Sequence, residues 1–284
     1  MASDDLWIVG IHMTKFGKHP GSDNVDLAAE AALGALDDAG YSHRPFDRKR
    51  TGVILGRGTY VNRGYNTLLQ HGQTVDQILD LVRSLNPTVK PESIEKLRER
   101  LKSTLPPFSG EVIANLVPNV ITGRIANRLD LMGPNYIVDA ACASSLIAIG
   151  HAIEELRSNR CDMMLTGAVH ATTPPQLYMM FCQLNGLSRT HLRPFDLAAD
   201  GTLLGEGIAI LVLKRLPDAE RDRDRIYALV KAVGTSSDGR ALGLLAPRAE
   251  GQVAALERAY AESGVAPGTV ELVEAHGTGM PLGD

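Results

Sequence analysis

VDAACASSL, Val138 to Leu146, sets a cysteine among small residues, directly after an apolar run and directly before a helix-like one. Read as a strand end followed by a helix start, it places Cys142 at the crevice where open α/β sheets bind ligands. Unpaired N–H groups and the helix dipole at such a terminus favour a thiolate. Flanking alanines and serines leave room for a substrate chain. The competing reading is a small buried filler, the common role of a free cysteine, and position alone leaves both open. Cys161 and Cys182 lack this setting and read as fillers.

Outward from that stretch, short β-branched runs alternate with helical patterns, which predicts βα units and a largely parallel sheet. The expected strands are Leu6 to Ile11, Gly52 to Leu55, Asn135 to Asp139, Asp162 to Ala168, Gly207 to Leu213, Ile226 to Val233 and Val270 to Glu274. Val25, Leu27, Ala28, Ala31, Ala32, Leu36 and Ala39 trace one helix face, capped by Asp23 or Asn24 and stopped by Gly40. Further helices are expected around 74–85, 92–104, 119–129, 143–157 and 249–263. Residues 60–117, with charged helical segments and four prolines, depart from the alternation and read as a solvated cover or a dimer-facing insertion. The strand–helix–strand run near the start, closing on TGVILGRG, has a similar run, closing on VELVEAHGTG, near the end. Chance similarity of two βαβ units is the alternative to a true repeat.

Three other stretches carry polar residues at strand ends. In EAHGTGMPLGD, Glu274 to Asp284, the glycines after His276 suit a close-approach loop. An imidazole there can donate to a developing oxyanion or carry a proton, or it is a turn histidine satisfied by backbone. In RPFDLAADGTLLGEGIAILVLKRL, Asp196 and Asp200 read first as loop holders that accept backbone N–H groups. Glu206 adjoins a strand apolar on both faces, so it is expected to be partly buried and to need a cationic or hydrogen-bonding partner. GRGTYVNRG, whose glycine spacing is not that of a phosphate cradle, reads as a flexible loop.

Bulk properties limit the options. The 284 residues, 44% hydrophobic and 22% charged, suit a globular chain. The net charge of −4 is scattered, with no basic stripe for nucleic acid or an anionic membrane. MASDDLWIVG is unlike a signal peptide and no apolar run approaches a membrane span, so the chain is expected to be cytoplasmic. Three cysteines without CxxC or histidine spacing imply free thiols and no metal site.

Taken together, VDAACASSL, EAHGTGMPLGD, GRIANRLDLMGP and PFDLAADGTLLGEG, in that family's order over residues 119–284, resemble the β-ketoacyl synthase (ketosynthase) family of the thiolase-like superfamily. The flavour is that of ketosynthase domains in large polyketide or polyunsaturated fatty-acid synthases. The first 118 residues match more loosely. The resemblance implies a thiolase-like layered αβαβα fold, with residues 1–218 as a complete first half, 60–117 as a helical insertion or dimer cap, and 219–284 as the start of a second half. It implies decarboxylative Claisen condensation of acyl thioesters, with Cys142 taking the acyl chain and His276 donating to the malonyl thioester oxygen. Asp200 and Glu206 are carried over as supporting residues. No cofactor is bound permanently; substrates arrive on the phosphopantetheine of an acyl carrier protein.

The implied partners are that carrier and a second copy of the chain, paired through Asn135 to Asp139. The family's second histidine motif, the lysine facing Glu206 and a gating loop are missing here, so a fragment of a longer synthase is expected. Such a fragment would have apolar faces exposed around Ile208 to Leu213 and Val270 to Val273. Met280 stands where the family usually has Thr, and Ala143 where it often has Ser. Neither change removes a reacting atom. The rival readings are a non-catalytic ketosynthase-like partner subunit, which typically lacks the cysteine, and a thiolase-type acyltransferase or hydrolase.

Overall fold

The computed structural model describes residues 6–15, 24–58, 63–110, 116–171, 173–240 and 246–284, together with 17, 19, 22 and 243. Among the described residues, six strands form one sheet: β1 (Leu6–Met13), β2 (Thr51–Gly56), β3 (Asn135–Val138), β4 (Met163–His170), β5 (Gly207–Arg215) and β6 (Ala228–Val230). Their spatial order is β3-β2-β4-β5-β1-β6. β2 pairs in parallel with β3 and β4, whereas β5 is antiparallel to β4 and β1, and β6 is antiparallel to β1. The largely parallel sheet expected from the alternation is therefore corrected to a mixed one. Residues 171–206 bring the chain back to the end of the sheet it left, setting Gly207 opposite His170. A strand that begins there must run back down.

Nine helices are defined among the described residues: α1 (Asn24–Asp38), α2 (Arg63–Leu69), α3 (Val75–Leu85), α4 (Pro91–Thr104), α5 (Val120–Leu129), α6 (Ser144–Arg157), α7 (Pro175–Gln183), α8 (Leu216–Asp222) and α9 (Ala249–Ser263). Asp23, the alternative cap of α1, lies outside the described residues, as do 59–62 of the expected GRGTYVNRG loop, whose end is already the first turn of α2. Thr59–Val120 form a compact unit of their own, in which α3 and α4 close on Val75, Leu79 and Ile94.

In the other unit, helices cover both faces of the sheet. On one face the alanines of α1, with Ile121 and Ile125 of α5, bury Val53, Leu55, Leu165 and Val212. On the other, Ala148, Ala152, Ile153 and Leu156 of α6 cover Ile54, Met164 and Leu213. Small alanines let the helices approach closely, and each buried aliphatic side chain contributes about 1.5–3 kcal/mol. One polar cluster interrupts the apolar pattern. Lys214, 3% exposed, donates to Tyr41 Oη, Asp222 Oδ2 and Asp224 Oδ2 at 2.6, 2.6 and 2.7 Å. Arg44 pairs with Asp224 and stacks 4.3 Å from the Tyr41 ring, so the turn after α1 is tied to β5 and α8.

The end of the chain departs from expectation. The strand predicted over Ile226 to Val233 is three residues long, and Val270 to Glu274 form no strand. Leu272 and Val273 are 84% and 72% exposed and α9 buries no residue, in keeping with the apolar exposure expected around Val270 to Val273. The exposure expected over Ile208 to Leu213 is corrected, because β5 lies between β4 and β1 with Ile208, Ile210, Val212 and Leu213 at 0–1%. No helix among the described residues is long and apolar enough to cross a membrane.

Candidate active site

β3 ends at Val138, and the chain turns within five residues into α6. Asp139 Oδ1 accepts from Ala141 N at 3.1 Å, while Ser144 Oγ accepts from Ala140 N at 2.9 Å and donates to Ala141 O at 2.6 Å. Ala141 is held at φ 49°, a left-handed conformation that non-glycine residues adopt at some cost and that often marks functional turns. Cys142 is exposed in the short 3₁₀ turn Ala141–Ala143, directly before the fourteen-residue α6. Ser144, 4% exposed, is the clamp of this turn. In the sequence alone it stands only as a small neighbour of Cys142.

That turn is seated on β2. A Cβ on Gly56 would lie 2.5 Å from Ser144 O and 2.6 Å from Ser145 N. The start of α6 therefore rests on the bare backbone of β2, and Gly56 fixes how deep the cysteine turn lies.

The other thiols are placed differently. Cys161 is fully buried, and burial first, then the nearby Glu155 carboxylate, pushes its thiol up to about 11. Cys182 is exposed near the end of α7.

His276 is exposed, on the irregular segment after Val270. Gly277 and Gly279 have φ of 49° and 74°, and a Cβ on Gly279 would lie 2.7 Å from Gly201 O. The loop is held by Asp284, whose carboxylate accepts from Thr278 N and Gly279 N at 2.9 Å each, and from Thr278 Oγ1 and Phe195 N at 3.1 Å each. Burial pushes the Asp284 carboxyl up, but these N–H donors outweigh it and hold it below the usual range. Gly201 N also donates to Gly279 O at 3.0 Å. The histidine loop and the acidic loop are thus one clasped assembly. The motif EAHGTGMPLGD ended on Asp284, but nothing in the one-dimensional pattern marked the residue as the clasp.

Asp200, exposed on the acidic loop, ties that loop to the turn at Ser188. It accepts from Ser188 Oγ at 2.6 Å and Arg189 N at 3.4 Å, and the serine hydroxyl above all keeps its carboxyl low. Glu206 is corrected: it is exposed rather than semi-buried, and among the described residues no ion pair engages it. Its Oε1 accepts from Thr173 N at 2.5 Å. β5 becomes buried one residue after Gly207, so the carboxylate stays at the open rim. Beside it, half-buried His170 ends β4. Burial holds its imidazole below the ordinary value, the Glu206 charge opposes this, and the Arg57 charge adds to it. Nothing in the sequence marks His170, which closes an apolar strand without a motif.

The structure therefore brings His276 and Asp200 into one clasped loop pair, and sets Cys142 and Glu206 at the ends of different strands. No hydrogen bond among the described residues joins Cys142 to His276 or to Glu206. Among those residues, too, no group of three or more His, Cys, Asp or Glu is placed to hold a metal ion.

The mixed sheet between helices, with a cysteine turn at a helix start, is shared with solved ketosynthases, whose fold is thiolase-like. Residues 21–219 match the family described as Beta-ketoacyl synthase, N-terminal domain, and residues 227–284 match its C-terminal domain. The chain belongs to the β-ketoacyl synthase family. It is 40% identical over 252 residues to a polyunsaturated fatty acid synthase of a Thraustochytrium species, and 35% identical over 251 residues to polyketide synthase PksN of Bacillus subtilis. Each alignment covers 88% of this chain, but 9% and 4% of those much longer proteins.

Among solved structures, the ketosynthase from module 6 of the bacillaene synthase of Bacillus subtilis superposes with a TM-score of 0.72 at 25% identity, over 99% of this chain and 52% of that one. The PfaC keto synthase–chain length factor gives 0.74 at 29% identity, over 95% and 30%. The ketosynthase of the AntDE:AntF complex, a type II polyketide synthase with its acyl carrier protein, shares the fold with a TM-score of 0.77 at 20% identity, over 99% and 74%.

Proposed function

We propose that the chain carries the acyl-accepting centre of a β-ketoacyl synthase acting by decarboxylative Claisen condensation, with Cys142 as nucleophile. The observation that carries this reading is the exposed thiol on a strained turn between β3 and α6. The thiolate attacks the carbonyl carbon of an acyl thioester, the carrier's sulfur leaves as a thiol with the proton Cys142 gave up, and the acyl group stays on Cys142. Covalent capture splits one difficult step into two. A malonyl thioester then loses carbon dioxide, the bond electrons remain as an enolate, and its carbon attacks the acyl-cysteine carbonyl. The Cys142 thiolate is released and the β-ketoacyl chain is left on the carrier.

His276 is assigned to donate to the malonyl thioester oxygen as enolate charge develops, and the Cys142 N–H to the oxyanion formed during transfer. Asp200 and Asp284 position the histidine loop, and Glu206 supports the rim. The carrier is an acyl carrier protein whose phosphopantetheine presents both substrates, in polyketide or fatty-acid biosynthesis in the cytoplasm. β3, at one edge of the sheet, is assigned to pair with its copy in a homodimer. The division into residues 1–218 and 219–284 follows the same reading.

The test is acyl transfer from an acylated carrier protein to the chain and to its Cys142→Ala variant, followed by mass. Acylation that depends on Cys142 is expected. Equal acylation of the variant would remove Cys142 from the mechanism.

A further inference from the structure

β2 carries an arginine at each end, and the two are treated differently. At its start, Arg50 grips Asp162 with two donors at 2.6 and 2.9 Å. At its carboxyl end, the Arg57 guanidinium has no hydrogen-bond or ion-pair partner among the described residues, although it is half-buried. Burial alone shifts it, downwards, with no carboxylate to offset the effect. A guanidinium stays protonated throughout the accessible pH range. The site therefore keeps a positive charge partly out of water without a counter-charge, an arrangement disfavoured unless something else supplies one.

The position of Arg57 narrows what that is. Its backbone N–H donates to Val138 O at 3.0 Å, at the end of the strand that leads to Cys142. Its neighbour Gly56 bears the start of α6. On the other side of β2, β4 ends at His170, whose imidazole feels the Arg57 charge. Burial and that charge both favour the neutral ring, which offers a further uncharged hydrogen-bonding group beside the cation.

We propose that Arg57 binds a substrate carboxylate at the carboxyl end of the sheet, beside the nucleophile turn. This rests on the reading of Cys142 as the acylated residue. A planar guanidinium matches a carboxylate with two parallel hydrogen bonds. Two substrates could bring one: the malonyl thioester, whose carboxylate is lost in the reaction, or an acyl group that ends in a carboxylate. In the first case the contact exists before carbon dioxide leaves and not after, so it favours binding over turnover and lowers KM without raising kcat.

The test uses the 284-residue chain and measures protection of Cys142 from iodoacetamide, read by peptide mass mapping. The protecting probes are malonyl-pantetheine and glutaryl-pantetheine, each against its methyl ester, which has the same shape without the charge. At least one free acid should protect at a concentration about tenfold lower than its ester, since a charge-assisted pair of hydrogen bonds is lost in the ester. The pair that shows the difference identifies the source of the carboxylate. Arg57→Gln should abolish the preference and Arg57→Lys should retain part of it.

Equal protection by acid and ester on the unmutated chain, a comparison that needs no variant to fold, would overturn the inference. So would an acid preference that survives Arg57→Gln. A separate arm with neutral octanoyl-pantetheine keeps the two levels apart. Octanoylation of Cys142 with equal protection sinks the Arg57 inference alone, whereas failure to acylate Cys142 sinks the reading beneath it as well.

Discussion

Replacing Gly56 with alanine perturbs the seat of the cysteine turn without touching a reacting group. The added Cβ would lie 2.5 Å from Ser144 O and 2.6 Å from Ser145 N, about 1 Å inside the 3.4 Å at which ordinary contact begins. Both obstacles are backbone at the first turn of α6, so no side chain can swing aside. Either β2 or the helix start must move, and overpacking of this kind costs about 1–3 kcal/mol. Because Cys142 stands two residues before Ser144, the thiol is displaced with the turn. A misplacement near 1 Å costs roughly 10² in rate.

The assay is the rate of octanoyl transfer to Cys142, followed by mass, alongside a thermal melt. The variant should melt several degrees lower and acylate about a hundredfold more slowly. Gly72→Ala is the control, since a Cβ there meets open space and both readouts should be nearly unchanged. If Gly56→Ala acylates within about twofold of the unmutated chain at an unchanged melting temperature, the close packing of β2 on α6 does not position the thiol.

Lys214→Met should lower stability by about 3 kcal/mol in chemical denaturation, because fully buried Asp224 loses one of its two cations; an unchanged midpoint would count against the cluster as an anchor. The same cluster predicts an acid limb. Asp222 is held at about 2, by Arg221 first and then, against burial, by Lys214. Its folded value lies below the unfolded value of about 3.9, so its contribution is present above that pH and is lost as pH falls towards about 2. Melts between pH 5 and 2 should show this loss, and Lys214→Met should shrink it. Asp284→Asn replaces one carboxylate oxygen with a donor facing N–H groups, so amide hydrogen exchange at Thr278 and Gly279 should speed up about tenfold or more, while octanoyl transfer to Cys142 stays within about twofold; unchanged exchange at these two amides would count against the clasp.

Much of this architecture is legible in one dimension. Helices α1, α3, α4, α5, α6 and α9 fall within about two residues of their periodic patterns, because apolar spacing and glycine or proline stops are local signals. The direction of β5 is not local. GIAILVLKR is apolar on both faces and reads alike in either sense, and its direction is set by where residues 171–206 return the chain. α7 escaped notice because its apolar residues run all round the helix, and α8 because seven residues carry too little period.

The site divides in the same way. That Cys142 lies between a strand and a helix could be read from flanking residues. The hydroxyl clamp of Ser144, the clasp by Asp284 and the exposure of Glu206 could not, since each depends on which segments meet in space. Arg57 was hidden inside GRG, where two glycines suggested a loop. That its charge lacks a partner becomes visible once its neighbours are known.

The assignment of Cys142 as the nucleophile is tested most directly by acyl transfer with site mapping. The purified chain is incubated with octanoyl-pantetheine, digested, and each cysteine peptide is weighed. Solvent access alone would treat Cys142 and Cys182 alike, since both are exposed. The octanoyl mass is expected on the Cys142 peptide, with Cys161 and Cys182 bare and the label abolished by Cys142→Ala. Octanoyl on Cys161 or Cys182 with Cys142 bare would contradict the assignment.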